Sequence, residues 1–119
     1  MIIFTIHPPS SSHLLHVIEE MKRLGPPKIK VVDCTDYLIA IEGTHRIEAA
    51  RILGLAPELE ILSQDDEVVV SDMDICDMFP NGTHIMPAGE VAAECYSGLC
   101  SGRYLVKDDG KLFLVSRAI

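Results

Sequence analysis

The chain has no surplus of basic charge, and this removes one class of partner at the outset. Ten Lys and Arg stand against 18 Asp and Glu, a formal net charge of −8 over 119 residues. Neutralising a nucleic-acid backbone takes clustered Lys and Arg, so direct DNA binding is not expected, although a local basic pocket is compatible with the total. Long hydrophobic runs are missing too. No apolar stretch nears the ~20 residues that cross a bilayer. The opening MIIFTIHPPSSS has no basic n-region and no small-residue cleavage site, so neither a signal peptide nor a membrane partner is expected, and the protein reads as cytoplasmic. Zinc-ligand spacing is also lacking. Of Cys34, Cys76, Cys95 and Cys100 only the last two stand close, with no second Cys or His pair beside them, so all four read as reduced core residues.

What is present suits an ordinary globular chain: 48% hydrophobic and 24% charged residues, long enough to bury a core without disulfides or metal. One domain over 1–119 is expected. The run IIFTIH, closed by Pro8-Pro9, predicts a strand. Serines then offer caps for a helix from Ser12 to Leu24, with Leu14, Ile18 and Met21 on an apolar stripe beside Val17 and Leu24, and Glu19, Glu20, Lys22 and Arg23 towards water. Gly25-Pro26-Pro27 ends it. KIKVVDC and DYLIAIE predict two strands around a turn at Thr35-Asp36, the second apolar enough to be covered on both faces. A helix over Thr44–Leu53 follows, stopped by Gly54. PELEILSQ and EVVVSDM predict further strands, DMDICDMF a helical turn, Pro80-Asn81-Gly82 a turn, and Ala88–Leu99 a helix. GRYLVKDDGKLFLVS predicts a hairpin turning at Asp109-Gly110. The expected fold is α+β: a mixed sheet with helices packed on it and a C-terminal β-hairpin.

The chemically informative stretch is IAIEGTHRIEAARILGL, where a strand pattern breaks at Gly43 and a helix begins. A helix start leaves backbone N–H groups unpaired and carries partial positive charge, so it attracts anions. Gly43 permits a sharp turn and close approach of a ligand to the backbone. Thr44 can cap the helix or bind a phosphate oxygen. Arg46 supplies a donor fork suited to phosphate or carboxylate, or pairs with Glu42, Glu48 or a neighbouring strand's carboxylate. His45 can donate a hydrogen bond or move a proton. His13 and His16 share a helix face and read either as a metal-binding pair or as two solvent-facing histidines. Asn81-Gly82-Thr83-His84 repeats part of the motif and reads as coincidence, with His84 as the one residue that could join the same cleft.

The stretch EGTHRIEAARILGL resembles the Gly-x-His/Arg-Arg-x-x-Ala-Ala box of the ParB/sulfiredoxin superfamily. The likeness extends upstream through a strand, a proline pair, an amphipathic helix and PPKIKV, and covers about residues 2 to 62; residues 63 to 119 are unmatched. It implies a nucleotide-binding cleft, with Gly43, Thr44, His45 and Arg46 gripping the phosphates of ATP, ADP or CTP together with Mg2+. Thr44 stands where sulfiredoxins carry their catalytic cysteine, so sulfinic-acid repair has no thiolate nucleophile here. Polar residues that help hold ATP on the first sulfiredoxin helix fall near His13 and His16. No helix-turn-helix module follows, which excludes a complete partition protein.

Two function classes follow. One is a domain binding a nucleotide or another phosphorylated small molecule, a small phosphotransferase or NTPase, in which His45 and Arg46 stabilise phosphoryl charge and Glu42 or Glu48 orients metal or nucleophile; His45 and Glu48 are its candidate catalytic residues. The other is a non-catalytic regulatory module with a protein partner. A nuclease reading fails for want of an acidic metal cluster.

Overall fold

A computed structural model of the protein describes residues 1–6, 9–69, 85–97 and 102–117. The helical turn expected at 72–79, the turn at 80–82 and the second motif copy at 81–84 lie outside them, as do Cys76, Cys100 and the side chain of Cys95. Eleven elements follow in order: β1 (Ile2–Thr5), α1 (Ser11–Leu24), β2 (Lys28–Asp33), β3 (Leu38–Ala40), α2 (Thr44–Leu53), β4 (Glu58–Leu62), β5 (Glu67–Val69), β6 (Ile85–Pro87), α3 (Ala88–Ser97), β7 (Gly102–Val106) and β8 (Leu112–Arg117). The expected α+β class and mixed sheet are present. Six strands form one sheet in the order β4-β2-β3-β1-β7-β8, and β5 and β6 form a separate pair.

The pairing directions place the helix starts. β1 runs parallel to β3, β2 opposes β3, and β4 is parallel to β2. The C-terminal ends of β1 and β3 therefore lie at the same end of the sheet as the N-terminal ends of β2 and β4. Both α1 and α2 begin there, and both connections out of them return there. The Glu58 amide, donating to the Pro27 carbonyl at 2.8 Å, ties the two returns together.

Strand alternation fills two cores. Ile3, Ile29, Val31, Leu38 and Ala40 pack against α1 and α2 with Val17, Met21, Ile47 and Ala50. Their neighbours Val32, Ile39 and Ile41 face the opposite layer, with Val68, Ala88, Val91 and Ala92. A sheet covered on both faces explains why β3 and its flanks read as one apolar run. The turn between β2 and β3 is tight, with Thr35 at φ 75° and its amide donating to Asp33 Oδ1 at 2.9 Å. The hairpin expected at Asp109-Gly110 joins β7 to β8, and the Lys111 amide bond to Asp109 holds that carboxyl below its usual range.

Several expectations change. β3 covers only the centre of DYLIAIE, because Ile41 and Glu42 already turn towards α2. β6 had no sequence prediction. Leu24, placed on the apolar stripe of α1, is 70% exposed, since the helix ends there and leaves it no partner element.

Candidate functional site

At the shared end of the sheet, α1 and α2 enclose a cleft of about 680 Å3. Its floor and one wall come from the turn into α2: Glu42, Gly43, His45 and Arg46. The other wall is one stripe of α1, in which His13, His16, Val17, Glu20, Met21 and Leu24 recur at helical spacing. Gly25, Pro26 and Pro27 close the far side. Such a volume suits a drug-sized or nucleotide-sized ligand.

Gly43 is the N-cap of α2, at φ 80° and ψ 28° in the left-handed region, and its carbonyl accepts the Ile47 amide at 2.9 Å. The expected cap, Thr44, instead occupies the first helical position and is buried, 6% exposed. A glycine that takes positive φ lets the helix start one residue earlier, which turns the threonine inward. The N-cap glycine has no side chain with which to cap the helix, and the first turn borders the cleft through Gly43, His45 and Arg46.

Arg46 folds back over Gly43. Its Nη1 donates to the Lys28 carbonyl at 2.8 Å, and Nη2 lies 3.5 Å from Glu42 Oε1. A Cβ built on Gly43 would stand 3.1 Å from Nη2 and 3.3 Å from Nε, so a side chain here would press on the guanidinium. Of the three pairings weighed for Arg46, the one with Glu42 is present. The carbonyl bond fixes one side of the fork and leaves the Glu42 side, at 3.5 Å, as the weaker contact. Three imidazoles share the space: His13 and His45 meet edge to face with centroids 4.3 Å apart, and His16 lies 3.8 Å from Glu20. His45 Nε2 accepts the Ser10 amide at 3.0 Å.

Glu48 is not brought to the cleft. It is 4% exposed, and Arg51 Nε donates to its Oε1. Positions 44, 47 and 48 share a face of α2 that points inward, with the half-buried Arg51 at its edge. The expected site residues thus divide: Gly43, His45 and Arg46 line the cleft, whereas Thr44 and Glu48 lie beneath it. Sequence reasoning missed Glu20 and the segment 24–27. The spacing of His13, His16 and Glu20 on one helix face was the available signal. Among the described residues no group of three or more His, Cys, Asp or Glu is arranged to hold a metal ion, and no helix is long and apolar enough to cross a membrane.

Cys34 sits away from the cleft, packed at the margin of the opposite core. Burial and the neighbouring Asp33 carboxylate push its thiol up from the usual value. Less thiolate means slower chemistry, so Cys34 should alkylate more slowly at neutral pH than a free thiol. A rate equal to that of a small-molecule thiol would show that the burial is not maintained in solution. No protein-family model, curated protein or solved structure matches this chain.

Proposed function

We propose that the cleft binds a phosphorylated small molecule, a nucleotide in the first instance, with its phosphates at the start of α2. The carrying observation is the start of α2 itself: a helix N-terminus with glycine as its N-cap, bordering a cleft that also holds Arg46 and three imidazoles. The N–H groups of a helix's first turn and the helix dipole favour an anion at such a place. Arg46 offers further charge-assisted bonds once the ligand outcompetes Glu42. Val17, Met21, Leu24, Pro26 and Pro27 supply an apolar wall for a base. The cleft also has the place in the chain that the ParB/sulfiredoxin resemblance assigns to ATP, ADP or CTP, and this supports the same reading. Mg2+ keeps several waters and binds through phosphates plus one or two carboxylates. It would enter with the nucleotide, next to Glu42.

The geometry favours a binding module over a phosphotransferase. Glu48 is buried against Arg51, and His45 Nε2 is already engaged by Ser10, so neither candidate catalytic group is poised to exchange a proton with a ligand. Thr44 supplies no thiolate and Cys34 lies elsewhere, so no sulfinic-acid repair is proposed.

Calorimetric titration with ATP, ADP, CTP and inorganic phosphate, with and without Mg2+, tests the reading. Arg46→Ala should weaken binding by about 1.5–3 kcal/mol, the range for a charge-assisted hydrogen bond. Unchanged affinity in that variant removes Arg46 from the site. A parent protein that binds no nucleotide at millimolar concentration removes the nucleotide reading and leaves the protein-interaction module.

A further inference from the structure

The contact that joins the two helix starts has a protonation requirement. The Ser10 amide donates to His45 Nε2 at 3.0 Å across 35 residues of sequence. Ser10 is the N-cap of α1, and its own carbonyl accepts the Leu14 amide at 2.9 Å. An imidazole nitrogen accepts a hydrogen bond only when it carries no proton. His45 must therefore be neutral with its proton on Nδ1, and the bond clamps the first turn of α1 to the first turn of α2.

Positive charge on its own helix turn opposes a second proton on the His45 ring. It lies in the first turn of α2, where the helix dipole disfavours a cation. Arg46, on the same turn, adds positive charge nearby. From α1, His13 packs edge to face against the ring, and His16 and Glu20 line the same cleft. From the turn before α2, Glu42 is the carboxylate that would favour a charged imidazole, but it is drawn to Arg46 at 3.5 Å. From β2, the Lys28 carbonyl holds Arg46.

We infer that His45 is a positioning residue, a neutral clamp between the starts of α1 and α2, and that its protonation opens the clamp and regulates the mouth of the cleft. Acid adds a proton at Nε2, turns the acceptor into a donor, and sets two N–H groups against each other where one bond stood. The Ser10 end of α1 is then released from α2. The clamp does not depend on what the cleft holds. Its effect on ligand binding rests on the phosphate reading: an anion at the start of α2 favours the charged imidazole, so binding takes up a proton and affinity rises as pH falls.

Hydrogen exchange at the Ser10 amide, followed from about pH 8 to about pH 5, reads the clamp directly, because imidazole changes charge in that window. The Glu58 amide, bonded to the Pro27 carbonyl, is the internal reference. In the parent, the protection of Ser10 relative to its intrinsic rate should fall about tenfold on acidification, the weight of one hydrogen bond, while that of Glu58 holds. His45→Gln places a non-titrating carbonyl near the Nε2 position and should keep Ser10 protected across the range. His45→Asn is too short to reach it and should leave Ser10 unprotected at every pH. Protection in the parent that ignores pH overturns the clamp, as does a His45→Gln variant as unprotected as His45→Asn. ATP titrations on the same samples separate the second claim. The parent should bind tighter at the acid end by about tenfold, and His45→Gln should gain less. ATP binding to neither protein, with the exchange pattern intact, sinks the phosphate reading and leaves the clamp standing.

Discussion

Gly43→Val is expected to remove phosphate binding from a protein that still folds. Gly43 sits at φ 80°, where a side chain costs roughly 1 kcal/mol and a β-branched one more, so a stability loss of about 2 kcal/mol is expected. The effect on binding is larger. The new Cβ would meet the Arg46 guanidinium at 3.1 Å, and the branches beyond it would push that group off the Lys28 carbonyl. They would also crowd the first turn of α2, where the phosphate is proposed to bind. Losing both contacts should weaken binding by about 3 kcal/mol or more, over a hundredfold. α2 should persist, because Ile47 and Ala50 anchor it in the core from the next turns. Gly43→Ala separates the causes: it carries the φ penalty without the branches. If Gly43 serves only the turn, stability falls in both variants and binding survives in each. Circular dichroism and a nucleotide titration on one sample decide, and a folded valine variant that binds like its parent means the cradle lies elsewhere.

That site was legible where it is contiguous. Gly43, His45 and Arg46 stand together in the chain, and a glycine followed by polar residues at a strand-to-helix junction is a local signal. α1, α2 and the β7–β8 hairpin were legible for a similar reason: apolar periodicity inside each element, and Gly25, Gly54 or Asp109-Gly110 at its end. Two places on the helices show what local pattern leaves open. Thr44 and Glu48 were rightly placed on one face of α2, but nothing in a Thr and a Glu says that the face is buried. Arg51, three residues on, helps make an inward Glu48 tolerable. Glu20 was assigned to water and is exposed, but its place on a cleft wall comes from α2 packing beside α1. β6 escaped because three residues ending in Pro87 carry no alternation. Their extended form depends on pairing with β5, which is remote in sequence. The register of β1 between β3 and β7 is likewise a tertiary fact, and it creates a constraint that no motif announces.

That constraint gives the second large effect: Gly102→Ala should cost about 3 kcal/mol, the upper end for overpacking a core. Gly102 pairs with Thr5 across the β1–β7 ladder, two steps from the Ile3–Tyr104 pair. A Cβ there would lie 2.5 Å from Thr5 Oγ1 and 3.1 Å from a ring carbon of Tyr104. Neither neighbour has room to retreat, since Thr5 and Tyr104 are both 0% exposed. The Thr5 hydroxyl is also a buried polar atom with no hydrogen-bond partner among the described residues, and such an atom is itself destabilising. Thr5→Ala removes that atom and leaves a small void, so by itself it should change stability by no more than about 1 kcal/mol. Combined with Gly102→Ala, it clears the space that the new methyl needs. The double variant should return to within about 1 kcal/mol of the parent, a coupling of roughly 2 kcal/mol between the two sites. Urea unfolding of the parent, both single variants and the double variant measures this directly. Additive losses would mean that the strain comes from the β7 backbone and not from the collision with Thr5. In that case Thr5→Ala would rescue nothing, and the absent side chain at position 102 would need another explanation.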